Sequence, residues 1–334
     1  MTEEPAGPRW PGRSGAGEPE HETLDRKAFL YSLVVPVYNS EGVVATTIDS
    51  IIEVFETAGL AYELILVNDG STDRSWEVVS ARAASRPHVI ALNLLRNYGQ
   101  HSANLAGLRE STGDYVITLD DDMQNPPDQA LILIDEAMRG YDVVFGRFDR
   151  KRAPGYRRLG SKLVELLNRR IFHQPTDLVV SNFRILRRDV VDRICSSRTA
   201  YPYITGQALI YSSRRGNVTV EHAPRAVGKS HYSLSRILRL VLSILFSYSV
   251  FPLRAAALGG FVIAVGAFLI GLAYLIRAPF VHTNVPGWTT LIVLLAFFNG
   301  VTIALLSMLG EYVVRTLNAV SATDTYHVVA RVTS

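Results

Sequence analysis

Three consecutive carboxylates, Asp120-Asp121-Asp122, end the apolar stretch "VITL" and are followed by "MQN" and a pair of prolines. Like charges at contact distance repel, more strongly as water is excluded. The arrangement therefore implies either full solvation or a positive partner. In an extended chain Asp120 and Asp122 project to one face, ~7 Å apart, and Asp121 to the other. A divalent cation fits Asp122, with Gln124 as a further oxygen ligand; phosphate oxygens and water can complete the shell, as is usual for Mg2+ or Mn2+. Asp120 can reach such an ion through water, or sit nearer the ribose or base of a nucleotide. The same acids can also cap a helix that begins near Pro127. Spacing alone does not choose between these readings.

The elements that must position the acids alternate along the chain. Strand patterns fall at Ser32–Val37, Tyr62–Val67, Val89–Leu94, Tyr115–Leu119 and Asp142–Phe145. Between the first two, Val44, Ile48, Ile51, Ile52 and Phe55 form a helical stripe, with Asn39 or Ser40 as its N-cap. Ser71 or Thr72 can cap the next helix, which carries Trp76, Val79 and Ala83. Repeated strand–helix units predict an α/β fold, a Rossmann-like, mostly parallel sheet with helices on both faces. Ligands of such sheets bind at the carboxyl ends of the strands. There the sequence places Pro36-Val37-Tyr38-Asn39-Ser40-Glu41, Asn68-Asp69-Gly70-Ser71 and the three aspartates. No G-x-G-x-x-G follows the first strand and no G-x-x-x-x-G-K-[ST] occurs, which argues against a dinucleotide fold and a P-loop ATPase.

Bulk properties narrow the class. A net charge of +3 over 334 residues is too weak to point to nucleic acid. Cys195 is the only cysteine, which excludes an intrachain disulfide and a thiolate zinc site. Ala255–Ile276 and Thr289–Leu309 are uncharged runs, each long enough to cross a hydrocarbon core of ~30 Å. They predict a transmembrane hairpin. Arg225, Lys229, Arg236, Arg239 and Arg254 precede the first run, only Arg277 lies between the runs, and Arg315 and Arg331 follow. By the positive-inside rule both termini face the cytosol. The expected organisation is a disordered tail over 1–27, a catalytic domain over 28–232, an interfacial amphipathic helix over 233–252, the hairpin over 253–310 and a cytosolic tail over 311–334.

The motifs "VVPVYNSEG", "LVNDGSTDRS", "RNYGQHSANLAGL", "LDDDMQNPPD", "YDVVFGR", "SNFRILRRDVVD", "GKSHYSLSRILRL", "PLRAAALGG" and "GEYVVR" run from about residue 31 to 315. With them the chain resembles the family 2 glycosyltransferases, in particular the polyprenyl-phosphate branch, which includes bacterial undecaprenyl-phosphate glycosyltransferases and, more distantly, dolichol-phosphate mannose synthase. Two positions depart from the usual pattern: Asp121 stands where D-A-D has alanine, and His231 replaces the second lysine of G-K-S-K-Y. The resemblance implies a GT-A fold and a nucleotide-sugar donor. It implies that Pro36, Tyr38, Glu41 and Asp69 line the nucleotide, with Asp120 and Asp121 beside them. It also implies that Asp120, Asp122 and Gln124 hold Mg2+ or Mn2+ and the diphosphate, and that Arg184 faces donor or acceptor phosphates. Asp120, Asp122 and Arg184 are the candidate catalytic residues.

Enzymes that glycosylate a hydroxyl need a general base, commonly the aspartate of an E-D pair. No Glu-Asp dipeptide occurs in this chain, and neither does the Q-x-x-R-W of processive polysaccharide synthases. A lipid phosphate would explain the missing base, because a phosphate monoester with a second pKa of about 6 is already anionic at neutral pH. Lys151, Arg152, Arg157, Arg158, Lys162, Arg169 and Arg170 crowd a stretch whose apolar face is Leu163, Leu166, Leu167 and Ile171, a pattern suited to a membrane interface. Ser235–Tyr248 is a second such segment. Arg225, Lys229 and Ser230, at the junction with the membrane, are the candidate acceptor-phosphate site. The expectation is an inverting glycosyltransferase that moves one sugar from a nucleotide donor to undecaprenyl or a similar polyprenyl phosphate, as a homo-oligomer at the cytosolic face of a bacterial inner membrane. The alternatives are a processive synthase and a catalytically silent scaffold or flippase partner.

Overall fold

A computed structural model describes residues 24–148, 155–197, 199, 201–221, 287–320 and 325–334, with scattered positions between 241 and 269. The described strands are β1 (Leu30–Val37), β2 (Ala61–Asn68), β3 (Val89–Leu94), β4 (Tyr115–Thr118), β5 (Val143–Phe148), β6 (Arg184–Arg187), β7 (Arg215–Val220) and β8 (Val328–Thr333). They form one sheet in the order β7-β5-β6-β4-β1-β2-β3-β8. β1 pairs in parallel with β2 and β4, β2 with β3, and β5 with β7. β6 is antiparallel to β4 and β5, and β8 is antiparallel to β3.

The central strands are covered on both faces, which is why they read as continuous apolar runs rather than alternating ones. Leu33, Val35 and Val37 of β1 pack with Val44, Ile48, Ile51 and Phe55 of α1 (Val44–Ala58), with Val79 and Ala83 of α2 (Ser75–Ser85) and with Leu133 and Ile134 of the later helix at Gln129–Ala137. Val34, Ile65 and Val67 face the other way, toward Ala103 and Leu108 of α3 (Gln100–Glu110). With α4 at Gln129–Ala137, the helices that follow are α5 (Gly155–Phe172), α6 (Arg188–Ser196), α7 (Ile204–Tyr211) and the long α8 (Trp288–Val320). α6 and α7 join α3 on the second face.

Several expectations change. The helix caps move: α1 starts at Val44 with no side-chain cap, and α2 starts at Ser75, whose N–H donates to Asp73. Asn39, Ser40 and Ser71 are engaged in bonds between loops instead. Of the apolar face read on α5, Leu167 and Ile171 pack on the protein core, while Leu166 is 55% exposed. Within the expected N-terminal tail, Leu24 N–H donates to the Met138 carbonyl and Arg26 pairs with Asp135 at 2.9 Å. The expected C-terminal tail contributes β8, because Val328–Thr333 finds the open edge of β3. Residues 1–23 and most of 222–286 lie outside the described residues, and with them most of the first apolar run and of the 233–252 segment. The second run lies within α8. This is the one helix among the described residues that is long and apolar enough to cross a membrane, with a mean hydropathy of 1.5 over Phe297–Val314. Leu295, Phe297, Ile303, Leu306 and Val313 project outward from it.

Candidate active site

Three loops meet at the carboxyl edge of β1, β2 and β4. The first, Tyr38–Glu41, continues β1. The second, Asp69–Arg74, continues β2. The third runs from Asp120 to Asn125 beyond β4. Side chains brace the first two: Asn39 N–H donates to Ser71 Oγ at 3.0 Å, Thr72 N–H to Asn39 Oδ1 at 2.8 Å and Ser40 N–H to Ser75 Oγ at 2.8 Å. Glu41 N–H donates to Asp73 Oδ2 at 3.1 Å, and Arg74 N–H donates back to Glu41 Oε2 at 3.0 Å. Asp121 ties the third loop to the first. Its carboxylate accepts from Ser40 Oγ and from Tyr38 N–H, and its carbonyl accepts from Thr47 Oγ1 at 3.1 Å. The extra acid in this motif is thus turned away from its neighbours and serves as a clasp between loops. After Asp122 the chain reverses through Met123, which takes a left-handed φ of 57°.

Asp120 is held from two directions. Gln100 Nε2, at the start of α3, donates to Oδ1 at 2.6 Å, and Asn125 Nδ2 donates to Oδ2 at 3.3 Å. Gln100 is oriented in turn by Asn182, whose amide donates to its Oε1 at 3.1 Å; the Asn182 carbonyl accepts from Thr118 Oγ1. Burial and the charges of Asp122 and Asp121 push the Asp120 carboxyl up to about 6, against the lowering pull of Gln100 and Arg184. The acids thus repel one another, and among the described residues only the Arg184 charge opposes this at Asp120.

Among the described residues, that charge lies behind the acids. Arg184, on β6, has no exposed surface; Nη1 donates to Thr205 Oγ1 at 2.7 Å, and Nε and Nη2 are without partners among the described residues. Burial lowers its pKa to about 10, with Asp120 and Tyr203 acting in the opposite sense. β6 inserts between β4 and β5 and carries the Arg184 side chain inward, where its charge is felt by Asp120. Beside it half-buried His101 stands edge-on to Tyr203, with ring centroids 5.1 Å apart. Burial, then the Arg184 charge, depress its pKa to about 4, so the imidazole is neutral.

Asp69 is 3% exposed, and both its oxygens are occupied: Tyr98 N–H donates to Oδ1 at 2.7 Å and Gly99 N–H to Oδ2 at 2.9 Å. Burial raises its pKa and these two bonds lower it. It therefore anchors the loop after β3 to the loop after β2. Pro36 is buried within β1 and presents no open side-chain face, whereas Tyr38 is 47% exposed at the mouth of the site. Glu41 is exposed and braces α2. Asp122 and Gln124 are half-buried, and Gln124 N–H donates to Asp122 Oδ1 at 3.2 Å. Arg225, Lys229 and Ser230 lie outside the described residues. Gln100 and Asn182 were not singled out from the sequence, and Ser40 only as a helix cap. They fall inside the quoted stretches "RNYGQHSANLAGL", "SNFRILRRDVVD" and "VVPVYNSEG", the only signal that could have found them.

The site's donor set is hard oxygen: the carboxylates of Asp120 and Asp122 and the amide of Gln124. Among the described residues no group of three or more His, Cys, Asp or Glu side chains is placed to enclose an ion. The residues therefore fit a cation that takes its remaining ligands from a phosphorylated substrate and water, not a closed structural site.

Comparison with known proteins agrees with this geometry. Residues 32–195 match Glycosyl transferase family 2. The undecaprenyl-phosphate 4-deoxy-4-formamido-L-arabinose transferase of Pectobacterium carotovorum subsp. carotovorum is 35% identical over 301 residues, covering 89% of this chain and 92% of the relative. The protein of that name from Pseudomonas paraeruginosa is 37% identical, covering 88% and 87%. Among solved structures, glucosyl-3-phosphoglycerate synthase from Mycobacterium tuberculosis, crystallised with Mn2+, UDP-glucose and phosphoglyceric acid, superposes with a TM-score of 0.50 at 19% identity, over 70% of this chain and 85% of that one. That likeness is one of fold, and it makes the sheet GT-A-like. By its matched residues and by relatives that it spans almost end to end, the chain belongs to the family 2 glycosyltransferases.

Proposed function

We propose that this enzyme transfers one sugar, with inversion, from a nucleotide-sugar donor to undecaprenyl phosphate or a similar polyprenyl phosphate at the cytosolic face of the bacterial inner membrane. The observation that carries the reading is the joining, in one chain, of an acidic loop at the carboxyl edge of a parallel sheet with an exposed apolar helix of membrane-crossing length. The names of the relatives support the acceptor. The Mn2+ of the fold neighbour supports a divalent cation.

In this reading Asp122, Asp120 and Gln124 hold a divalent cation, which when bound would neutralise the departing diphosphate. Gln100 and Asn125 fix the Asp120 carboxylate, so that little reorganisation is needed when the donor arrives. Asp121 keeps the Tyr38–Ser40 loop against the acidic loop. Arg184 acts from behind, offsetting part of the repulsion among the acids. An oxygen of the lipid phosphate, already anionic, attacks the anomeric carbon as its bond to the diphosphate breaks, so no protein base has to remove a proton. The test is incubation of the purified enzyme with undecaprenyl phosphate and a panel of nucleotide sugars, with mass spectrometry of the lipid fraction. A polyprenyl-phosphate hexose or pentose is expected. Hydrolysed donor without lipid product, or polymer, would overturn the reading.

A lipid phosphate rises only a short way above the bilayer, so its cations should come from the junction with the membrane. Arg offers a planar fork to phosphate and Lys a compact charge. Loss of either Arg225 or Lys229 as alanine should raise the polyprenyl-phosphate requirement about ten- to a hundredfold, the ~1.5–3 kcal/mol of a charged hydrogen bond. Donor KM should stay nearly constant. The measurement belongs in neutral detergent, where attraction to anionic headgroups, worth about 1 kcal/mol per residue, is absent. Wild-type acceptor kinetics in both variants would place the phosphate elsewhere.

The membrane arrangement has its own test. With α8 and the Ala255–Ile276 run both spanning, a cysteine introduced at Thr283 should react with an impermeant thiol reagent added from the periplasmic side. Reaction only after the inner membrane is opened would reverse the orientation.

A further inference from the structure

The strand that follows the membrane-length helix touches the segment that carries the donor site. His327 accepts from Leu95 N–H through its carbonyl at 2.9 Å, and its ring lies against Tyr98 with centroids 6.4 Å apart. Tyr98 and Gly99 are the residues whose N–H groups hold Asp69. α3 begins at the next residue, Gln100, which holds Asp120. The far end of α3 is gripped as well. Arg331 pairs with Glu110 at 2.8 Å, and the Arg109 guanidinium lies 5.4 Å from the Tyr326 ring centre. Meanwhile Val328 and Val329 remain 43% and 53% exposed. Val332 packs on the core, but beyond that contact and the ladder with β3 the side chains of Tyr326, His327 and Arg331 are directed at residues 95–110.

We propose that Tyr326, His327 and Arg331 are positioning residues of the donor site: β8 fixes residues 95–110 where Tyr98 and Gly99 hold Asp69 and Gln100 holds Asp120. The proposal rests on reading those aspartates as the donor site, and it makes the segment beyond α8 a working part of the catalytic domain. The competing role for β8 is only to cover the open edge of β3.

The experiment uses the full chain in detergent, with His327→Ala, Arg331→Ala and the double variant, and with His327→Phe to restore an aromatic ring. The first readout is amide hydrogen exchange. Exchange at Tyr98 and Gly99 should quicken about tenfold in the double variant while β1 stays protected, the size expected when one cross-strand aromatic contact and one ion pair are lost together. The second readout is kinetic: donor KM should rise about three- to tenfold with acceptor KM unchanged, and His327→Phe should lie close to the wild type. Faster exchange confined to Val89–Leu94, with Tyr98, Gly99 and donor KM unmoved, would mean edge protection alone and would overturn the proposal. Faster exchange at Tyr98 and Gly99 with unaltered donor KM would overturn it too. If the wild type transfers no sugar from any donor, the functional reading fails by itself, and the exchange result still decides whether β8 holds the loop.

Discussion

Replacement of Asp122 by asparagine should lower transfer by at least about a thousandfold and leave the fold intact. A metal that offsets charge on a leaving diphosphate contributes several kcal/mol to the transition state, and each ~1.36 kcal/mol is a factor of ten in rate. Asparagine keeps the side chain's shape and an oxygen for the Gln124 N–H but removes the ligand charge. Stability should hold or rise slightly. Asp120 is displaced upward from 3.8 to about 6, with Asp122 the largest cause after burial. A carboxyl raised in the folded state costs nothing below its unfolded value, and that cost grows to its full size above the folded one. At pH 7 the wild type therefore carries the whole cost, and the variant is relieved of the Asp122 share. The check is kcat/KM together with a thermal melt at pH 7. Full activity in the variant, or wild-type turnover in excess EDTA, would remove the metal from the mechanism.

Gly70→Ala should disable the donor site through the backbone. Gly70 follows Asp69 and takes a φ of +62°, a region that costs a residue bearing a Cβ about 1–2 kcal/mol. A Cβ there would stand 2.4 Å from the Arg96 carbonyl carbon and 2.5 Å from Asn97 N. These are main-chain atoms that cannot rotate aside, and overpacking of this kind adds roughly 1–3 kcal/mol. The segment pushed away leads directly to the Tyr98 and Gly99 N–H groups that hold Asp69. A loss of about 2–5 kcal/mol is expected in denaturant unfolding, with donor affinity falling in whatever fraction remains folded. Wild-type stability and donor KM would show that the loops after β2 and β3 are not in this contact in solution.

The acids of the site were legible because their type and spacing are unusual in themselves. The groups that hold them were not. Gln100 and Asn182 are neutral and meet their partners across a distant part of the chain, so nothing local marks them, and Ser40 carries only the local mark of a helix cap, whereas its hydroxyl reaches Asp121. Asp69 was visible as the acid of an N-D-G-S turn, but its carboxylate is used by amides from the next loop, a pairing that only the sheet order brings about. The strands show the same division. β1 and β2 announce themselves because both their faces are covered. β6 reads "RILR", and its first arginine points inward, against every expectation from hydropathy. β8 was read as a tail because it lies beyond an apolar helix and pairs with a strand formed far earlier in the chain. On α5, Leu167 and Ile171 gave the signature of a membrane-facing stripe, yet a stripe of that width serves equally well to seat a helix on a protein core.

The pairing of β8 with β3 also carries a rule of parity. The chain leaves the sheet at Val220 and rejoins it at Val328, and a sheet lies on one side of a bilayer. Between those points the number of crossings must be even. On the proposed membrane arrangement α8 is one crossing, and this parity asks for a second, the role proposed for the Ala255–Ile276 run, whatever the arrangement of basic residues around it. A variant in which the first apolar run no longer inserts would then face two exclusive outcomes: α8 stays out of the membrane, or β8 is carried across and the edge of β3 is left bare.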